Sequence, residues 1–133
     1  MQKILLFSFL LVVSCKSKEV TYVGAENAFD AGREFIDGGL KGDFKKASFY
    51  MLADSTNLQY LNLLEKDFRL KDKESRQQFR TASINIQQVE DLDSITSIIH
   101  YNNSSDKIKH TIKVIKQKNE WLVDYKYSYQ NKK

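Results

Sequence analysis

The chain has no proline and a single cysteine among its 133 residues. One cysteine cannot close an internal disulfide. No apolar run approaches the roughly 20 residues a membrane-spanning helix needs; the longest, Ile4 to Val13, has ten residues and is broken by Ser8. Glycine is scarce and lopsided: all five, at positions 24, 32, 38, 39 and 42, precede residue 43. There is one tryptophan, no internal repeat and no low-complexity tract. No motif with catalytic spacing is present. What remains, 41% apolar and 29% charged, is the composition of a globular domain. A domain takes roughly 100–150 residues, so two large ones cannot fit.

The ten-residue apolar run follows Met1 and Lys3, which carry two positive charges. A charged start and an apolar core of about 7–15 residues are the pattern of a secretory signal. The run ends in Val12-Val13-Ser14-Cys15, which resembles the lipobox of bacterial lipoproteins. That resemblance implies cleavage before Cys15 and diacylglyceryl modification of its thiol. The expected organisation is a signal peptide over 1–14, a lipidated tether over 15–24, one domain over 25–129 and a tail over 130–133. It places the domain in the cell envelope, held to the membrane through Cys15. The residue after the cysteine is Lys16. An Asp there is associated with inner-membrane retention in Gram-negative lipoproteins, so Lys16 points to the outer membrane, facing the periplasm or the surface.

The formal charge of +4 falls to +3 once residues 1–14 are removed. Residues 107–133 hold eight lysines against Glu120 and Asp124, whereas residues 15–106 are net acidic. A basic half suggests nucleic acid, but an extracytoplasmic domain rarely meets any, so no nucleic-acid partner is expected. Lys107, Lys109, Lys113 and Lys126 read as a solvated strand face, with contact to anionic headgroups as the alternative.

The front of the chain reads as helical. Ala28, Phe29, Gly32, Phe35, Ile36 and Leu40 recur on one helical face, and Gly42 is placed to end that helix. Asp43 suits the N-cap of a short second helix with Phe44, Ala47, Tyr50 and Met51 facing in. Asp54-Ser55-Thr56 marks the next start. Leu58, Leu61, Leu64 or Glu65, and Phe68 then repeat, so residues 57–80 form one long helix or two pieces broken near Asp72.

After Ala82 the apolar period becomes two. Ile84 and Ile86 open a first strand that turns at Glu90-Asp91-Leu92-Asp93. Ile95, Ile99 and Tyr101 make a second strand and Asn102 to Asp106 a loop. Ile108, Ile112 and Val114 make a third, and Lys118-Asn119 a tight turn, since Asn tolerates positive φ. Trp121, Val123, Tyr125 and Tyr127 close a four-stranded antiparallel meander. Keeping the apolar sets together pairs Ile99 with His110, Tyr101 with Ile108, Val114 with Val123, Ile112 with Tyr125 and His110 with Tyr127. The fold class is α+β, with N-terminal helices packed on one face of the sheet.

This order resembles cystatin-like, nuclear transport factor 2-like domains, and more closely a family of bacterial lipoproteins carrying such a domain of unknown function. The elements that carry the resemblance are Ala28-Phe29 through Leu40, Lys41 to Ala47, Ile84-Asn85-Ile86 with Val89-Glu90, and Trp121 to Asp124. Lys118-Asn119 stands where relatives often carry Asp-Gly. The resemblance implies a cone between sheet and helices that some related folds use as a pocket for isomerase or dehydratase chemistry and others only for binding. It implies no reaction for this family.

The candidate pocket residues are those on the inner face: His110, Tyr127, Ser97, Gln88 and Tyr101. A pocket with a few converging polar groups is the usual form of a ligand site; a core histidine bonded to a tyrosine is the plainer reading. His100 and His110 point to opposite faces, so no shared metal site is expected and no cofactor. No inward carboxylate is apparent on the strands; Glu34 and Asp30 on the first helix are within reach of the pocket rim but read as solvent-facing. Two readings stand: a non-catalytic binding or accessory lipoprotein, whose partner is a small hydrophobic ligand or an envelope protein, and an isomerase- or dehydratase-type enzyme using His110 and a tyrosine. A homodimer through the sheet is a third, structural option.

Overall fold

The computed structural model describes residues 14–131. The apolar leader up to Val13 lies outside the described residues, as do Lys132 and Lys133. Among the described residues no helix is long and apolar enough to cross a membrane.

Each of the first four helices starts at a side-chain cap. α1 (Ala28–Lys41) begins where Asn27 accepts the Asp30 N–H at 2.8 Å. It ends at Gly42, whose φ of 74° is the left-handed conformation a glycine adopts at low cost. α2 (Phe44–Phe49) is capped by Asp43, α3 (Ser55–Leu70) by Asp54 and α4 (Lys73–Arg80) by Asp72. The stretch 57–80 is therefore two helices. Asp72 adopts extended geometry and accepts the Ser75 N–H at 2.7 Å, so the chain restarts rather than continues.

The sheet has the order β1–β2–β3–β4, with every neighbouring pair antiparallel. Its strands are β1 (Ile84–Asp93), β2 (Thr96–Asn103), β3 (His110–Gln117) and β4 (Glu120–Asp124). One further turn of helix, α5 (Tyr127–Gln130), comes after β4. The protein is thus α+β, with helices against one face of an open four-stranded sheet. The β3–β4 turn is Lys118-Asn119, both at positive φ (51° and 63°), the requirement of a two-residue hairpin loop.

The core lies between α1 and the inner face of the sheet. Ala31, Phe35 and Ile36 meet Ile99, Ile112, Val114 and Val123, all almost fully buried. Gly32 lets α1 approach closely, because a Cβ there would lie 2.5 Å from Ile99 Cδ1. From α2, Ala47, Tyr50 and Met51 join the core, and α3 adds Leu61 and Phe68. Residues 50–52 also cover the outer edge of β4: Val123 N–H donates to the Tyr50 carbonyl at 2.7 Å and Leu52 N–H to the Val123 carbonyl at 2.9 Å. A buried Asn57 ties α3 to the end of β4. Its amide donates to Asp124 at 3.0 Å, and its oxygen accepts the Lys126 N–H at 2.6 Å.

Several sequence expectations shift. Residues 90–93 do not turn; β1 continues to Asp93, and the reversal falls at Ser94-Ile95. Register is irregular between Ile86 and Gln88, so Ile86 faces Tyr101 while Gln88 faces His100. One extra residue in β1 moves the side chains from Gln88 to Asp91 to the other face, and a second irregularity follows between Asp91 and Asp93. Val114 faces Val123 as expected, but Ile99 faces Ile112 and Tyr101 faces His110. The slip is two residues, which preserves each strand's faces. It arises because the β2–β3 loop is longer than the polar run suggests, and Ile108 lies outside the sheet, exposed. Phe29 and Leu58 are more exposed than their helical spacing implies, and Asn57 takes an inward place instead. Trp121 is half-buried, with the Lys116 ammonium over its ring at 5.7 Å, rather than a full core anchor.

Candidate functional site

A half-open cavity of about 240 Å³ lies between α1, the α3–α4 corner and the inner face of the sheet. Its walls are apolar: Phe35 and Leu40 from α1, Leu64 and Phe68 from α3, and Phe79 from α4. Tyr101 of β2 and Tyr125, just past β4, complete the lining. Phe35 and Tyr125 pack ring against ring, with centroids 5.0 Å apart.

The polar groups of this cavity come from two places. The β2–β3 loop and its flanks contribute Asn103, Asp106 and His110, and the end of α3 contributes Asp67 and Lys71. The loop is held by its own side chains. Asn103 is buried, and its Oδ1 accepts the Ser105 N–H at 2.9 Å and the Asp106 N–H at 3.2 Å, together with the Ser105 hydroxyl. Because two of these partners can only donate, the amide orientation is settled, and the NH₂ end turns away from them. Asp106 Oδ1 accepts the Ile108 N–H at 2.9 Å, and Oδ2 lies 2.9 Å from His110 Nε2. Burial would raise the Asp106 carboxyl, but the Ile108 N–H, His110 and Asn103 outweigh it and hold it below the ordinary carboxylate range. Asp106 is therefore ionised, and His110 Nε2–H donates to it. The imidazole also stacks on Tyr101, with centroids 5.1 Å apart. His110 Nδ1 has no hydrogen-bond partner among the described residues.

Both phenols are pushed well above their usual range, mainly by burial. The Asp106 charge adds to this at Tyr101. At Tyr125 the hydrogen bond with Tyr129, 3.1 Å between hydroxyls, adds further. Both remain protonated donors at neutral pH.

The chain matches no protein-family model, no curated protein and no solved structure.

The five residues expected at the pocket are only partly brought together. His110 and Tyr101 line the cavity side by side. Tyr127 belongs to α5 rather than to a strand, so it does not pair with His110. The two share instead a neighbouring hollow of about 560 Å³. Ser97 is buried on the inner face but bonds Asp91 at 2.6 Å and lines a separate hollow beside Trp121. Gln88 lies on the other face of the sheet, carried there by the irregularity after Ile86. His100 is on that face too, 3.1 Å from Thr111 Oγ1 through Nδ1. Cys15 is exposed.

Asn103, Asp106, Asp67, Lys71 and Tyr125 were not anticipated at the site. Asp106 brings a carboxylate to the cavity from a loop, whereas the expectation concerned only the strands. The available signal was its spacing: Asp106 stands four residues before His110, across a loop rich in Asn and Ser that favours side-chain-capped turns. Tyr125 was placed on the inner face; what the periodicity could not tell is that the sheet and the α3–α4 corner leave space above it.

Proposed function

We propose that this chain is a lipid-anchored envelope protein whose domain binds a small, mostly apolar molecule in the cavity between helices and sheet. The helix-on-sheet cone supports reading the domain as nuclear transport factor 2-like or cystatin-like. The lipobox-like Val12 to Cys15 supports the anchor and the extracytoplasmic placement. The single observation that carries the binding function is the 240 Å³ cavity itself, apolar over most of its wall, with polar groups from the β2–β3 loop and the end of α3. A dry cavity of about 150 Å³ accommodates benzene, so this one suits a single ring with a short substituent.

Two measurements test the reading. Cys15→Ser abolishes lipid labelling and releases the protein from membranes; continued membrane fractionation means that the tether lies elsewhere. Phenyl-bearing probes perturb the NMR signals of Tyr101 and Tyr125 in the full chain and leave those of Trp121 unchanged. Perturbation spread over the surface would remove the cavity as the site.

A second reading is favoured by one observation: His110 is oriented by an ionised carboxylate at 2.9 Å and borders the cavity. A histidine so held is arranged as a general base, with Nδ1 available to take a proton. The two readings part on turnover. A bound ligand recovered chemically unchanged after long incubation belongs to a binding protein, whereas conversion that His110→Gln abolishes belongs to an enzyme.

A further inference from the structure

Resting on the binding reading above, we infer that the ligand of this cavity is a small hydrophobic monocarboxylate. The two carboxylates around the cavity are already served, and the acceptor left open is His110 Nδ1. Asp106, the carboxylate within the loop, is engaged by the Ile108 N–H and by His110. Asp67 is exposed at the rim, where water serves it. Along with that open acceptor, the cavity has two donors. The Tyr101 hydroxyl is held protonated by burial and has no hydrogen-bond partner among the described residues. Lys71 is a half-buried residue and lines the cavity. Lys71 has no carboxylate within ion-pair distance among the described residues and meets only the face of Phe79, at 4.6 Å. Half-buried Lys46, by contrast, bridges Glu34 and Asp37 at 2.5 and 2.8 Å. A cation beside an aromatic wall, with no counter-ion within ion-pair distance among the described residues, fits an anion whose remaining surface is apolar. The volume restricts that anion to about one ring and a short chain.

Three probes of nearly equal size separate the alternatives: 3-phenylpropanoate, its neutral amide and 3-phenylpropylamine. Each is titrated by calorimetry into the full chain in detergent micelles, with empty micelles as the blank. The acid is expected to bind at least tenfold more tightly than the amide or the amine, and added salt to weaken it most. Lys71→Gln keeps a polar side chain of similar reach and should bring the acid down to the affinity of the amide. Tyr101→Phe should weaken the acid in a background that retains Lys71. Circular dichroism of both variants confirms an unchanged fold. Equal binding of acid and amide to the native chain overturns the carboxylate assignment while leaving the pocket in place, as does a preference for the amine. Binding of none of the three overturns the pocket as well.

Discussion

Adjacent glycines near the end of α1 have opposite reasons to exist. A Cβ on Gly38 would stand 2.8 Å from the Ala47 nitrogen and 2.9 Å from the Asp43 carbonyl, both backbone atoms of the α1–α2 corner that cannot swing aside. On Gly39 the nearest atom is Leu64 Cδ2 at 3.4 Å, an ordinary contact with a movable methyl. Gly38→Ala should therefore cost upward of about 2 kcal/mol, the range of overpacked sites. Gly39→Ala should instead gain about 0.5–1 kcal/mol by removing glycine's excess freedom from a helix. Urea denaturation of the two variants checks the pair, and equal effects would mean that the corner is looser than its contacts imply. The sequence shows two glycines weakening a helix end; which one is indispensable depends on a contact with α2 that has no local signature. Asn57 is similar. Its type suggests a surface position near a helix start, yet it is fully buried because Asp124 and the Lys126 N–H, nearly seventy residues later, complete its hydrogen bonds.

Elements whose identity depends on local chemistry were legible. Asp43, Asp54 and Asp72 cap their helices, Gly42 ends α1, and Lys118-Asn119 turns between β3 and β4. Elements whose placement depends on pairing were not. The irregularity in β1 and the true length of the β2–β3 loop are decided by partner strands, and they relocated Gln88 and brought Asp106 to the cavity. The α1–α2 corner adds an electrostatic element. Lys46 on α2 reaches Glu34 and Asp37 on α1, and Lys41 meets Asp37 at 2.9 Å. Partial burial opposes ionisation of Asp37, but Lys46 and Lys41 prevail and hold its carboxyl below the ordinary value. Burial likewise disfavours the Lys46 charge, and the two carboxylates outweigh it and raise the lysine. A depressed acid stabilises above its unfolded value and loses that contribution as pH falls through the folded one. A raised lysine stabilises below its unfolded value and loses the contribution only in strong alkali. The corner is therefore strongest between these limits and weakens on acidification below about pH 4. The gap in melting temperature between the native chain and Lys46→Gln should narrow across that acid range. A gap independent of pH would show that Lys46 acts by packing alone. The groups are partly solvated, so the effect is modest.

For the molecule as a whole, the segment after Cys15 is shorter in effect than in sequence. Tyr22 donates its hydroxyl to Asp43, 3.1 Å from each carboxylate oxygen, and its ring lies 5.5 Å from Phe49. The next carbonyl, of Val23, accepts the Tyr50 hydroxyl at 2.6 Å. The chain is thus fastened to α2 well before α1 begins. Seven residue steps separate Cys15 from Tyr22, which span at most about 25 Å when fully extended. If Cys15 carries lipid, α2 stays within that distance of the bilayer and the domain cannot tumble freely above it. Tyr22→Ala combined with Tyr50→Phe removes both ties and frees the leash toward Asn27, lengthening its reach to as much as about 40 Å. A dye on Lys45→Cys, transferring energy to labelled lipid in vesicles, reads the height. Transfer should fall in the doubly substituted chain, because energy transfer is steep in distance while membrane binding itself is untouched. Equal transfer from both chains would mean that these two ties do not set the standoff, and loss of vesicle binding in both would instead refute the anchor.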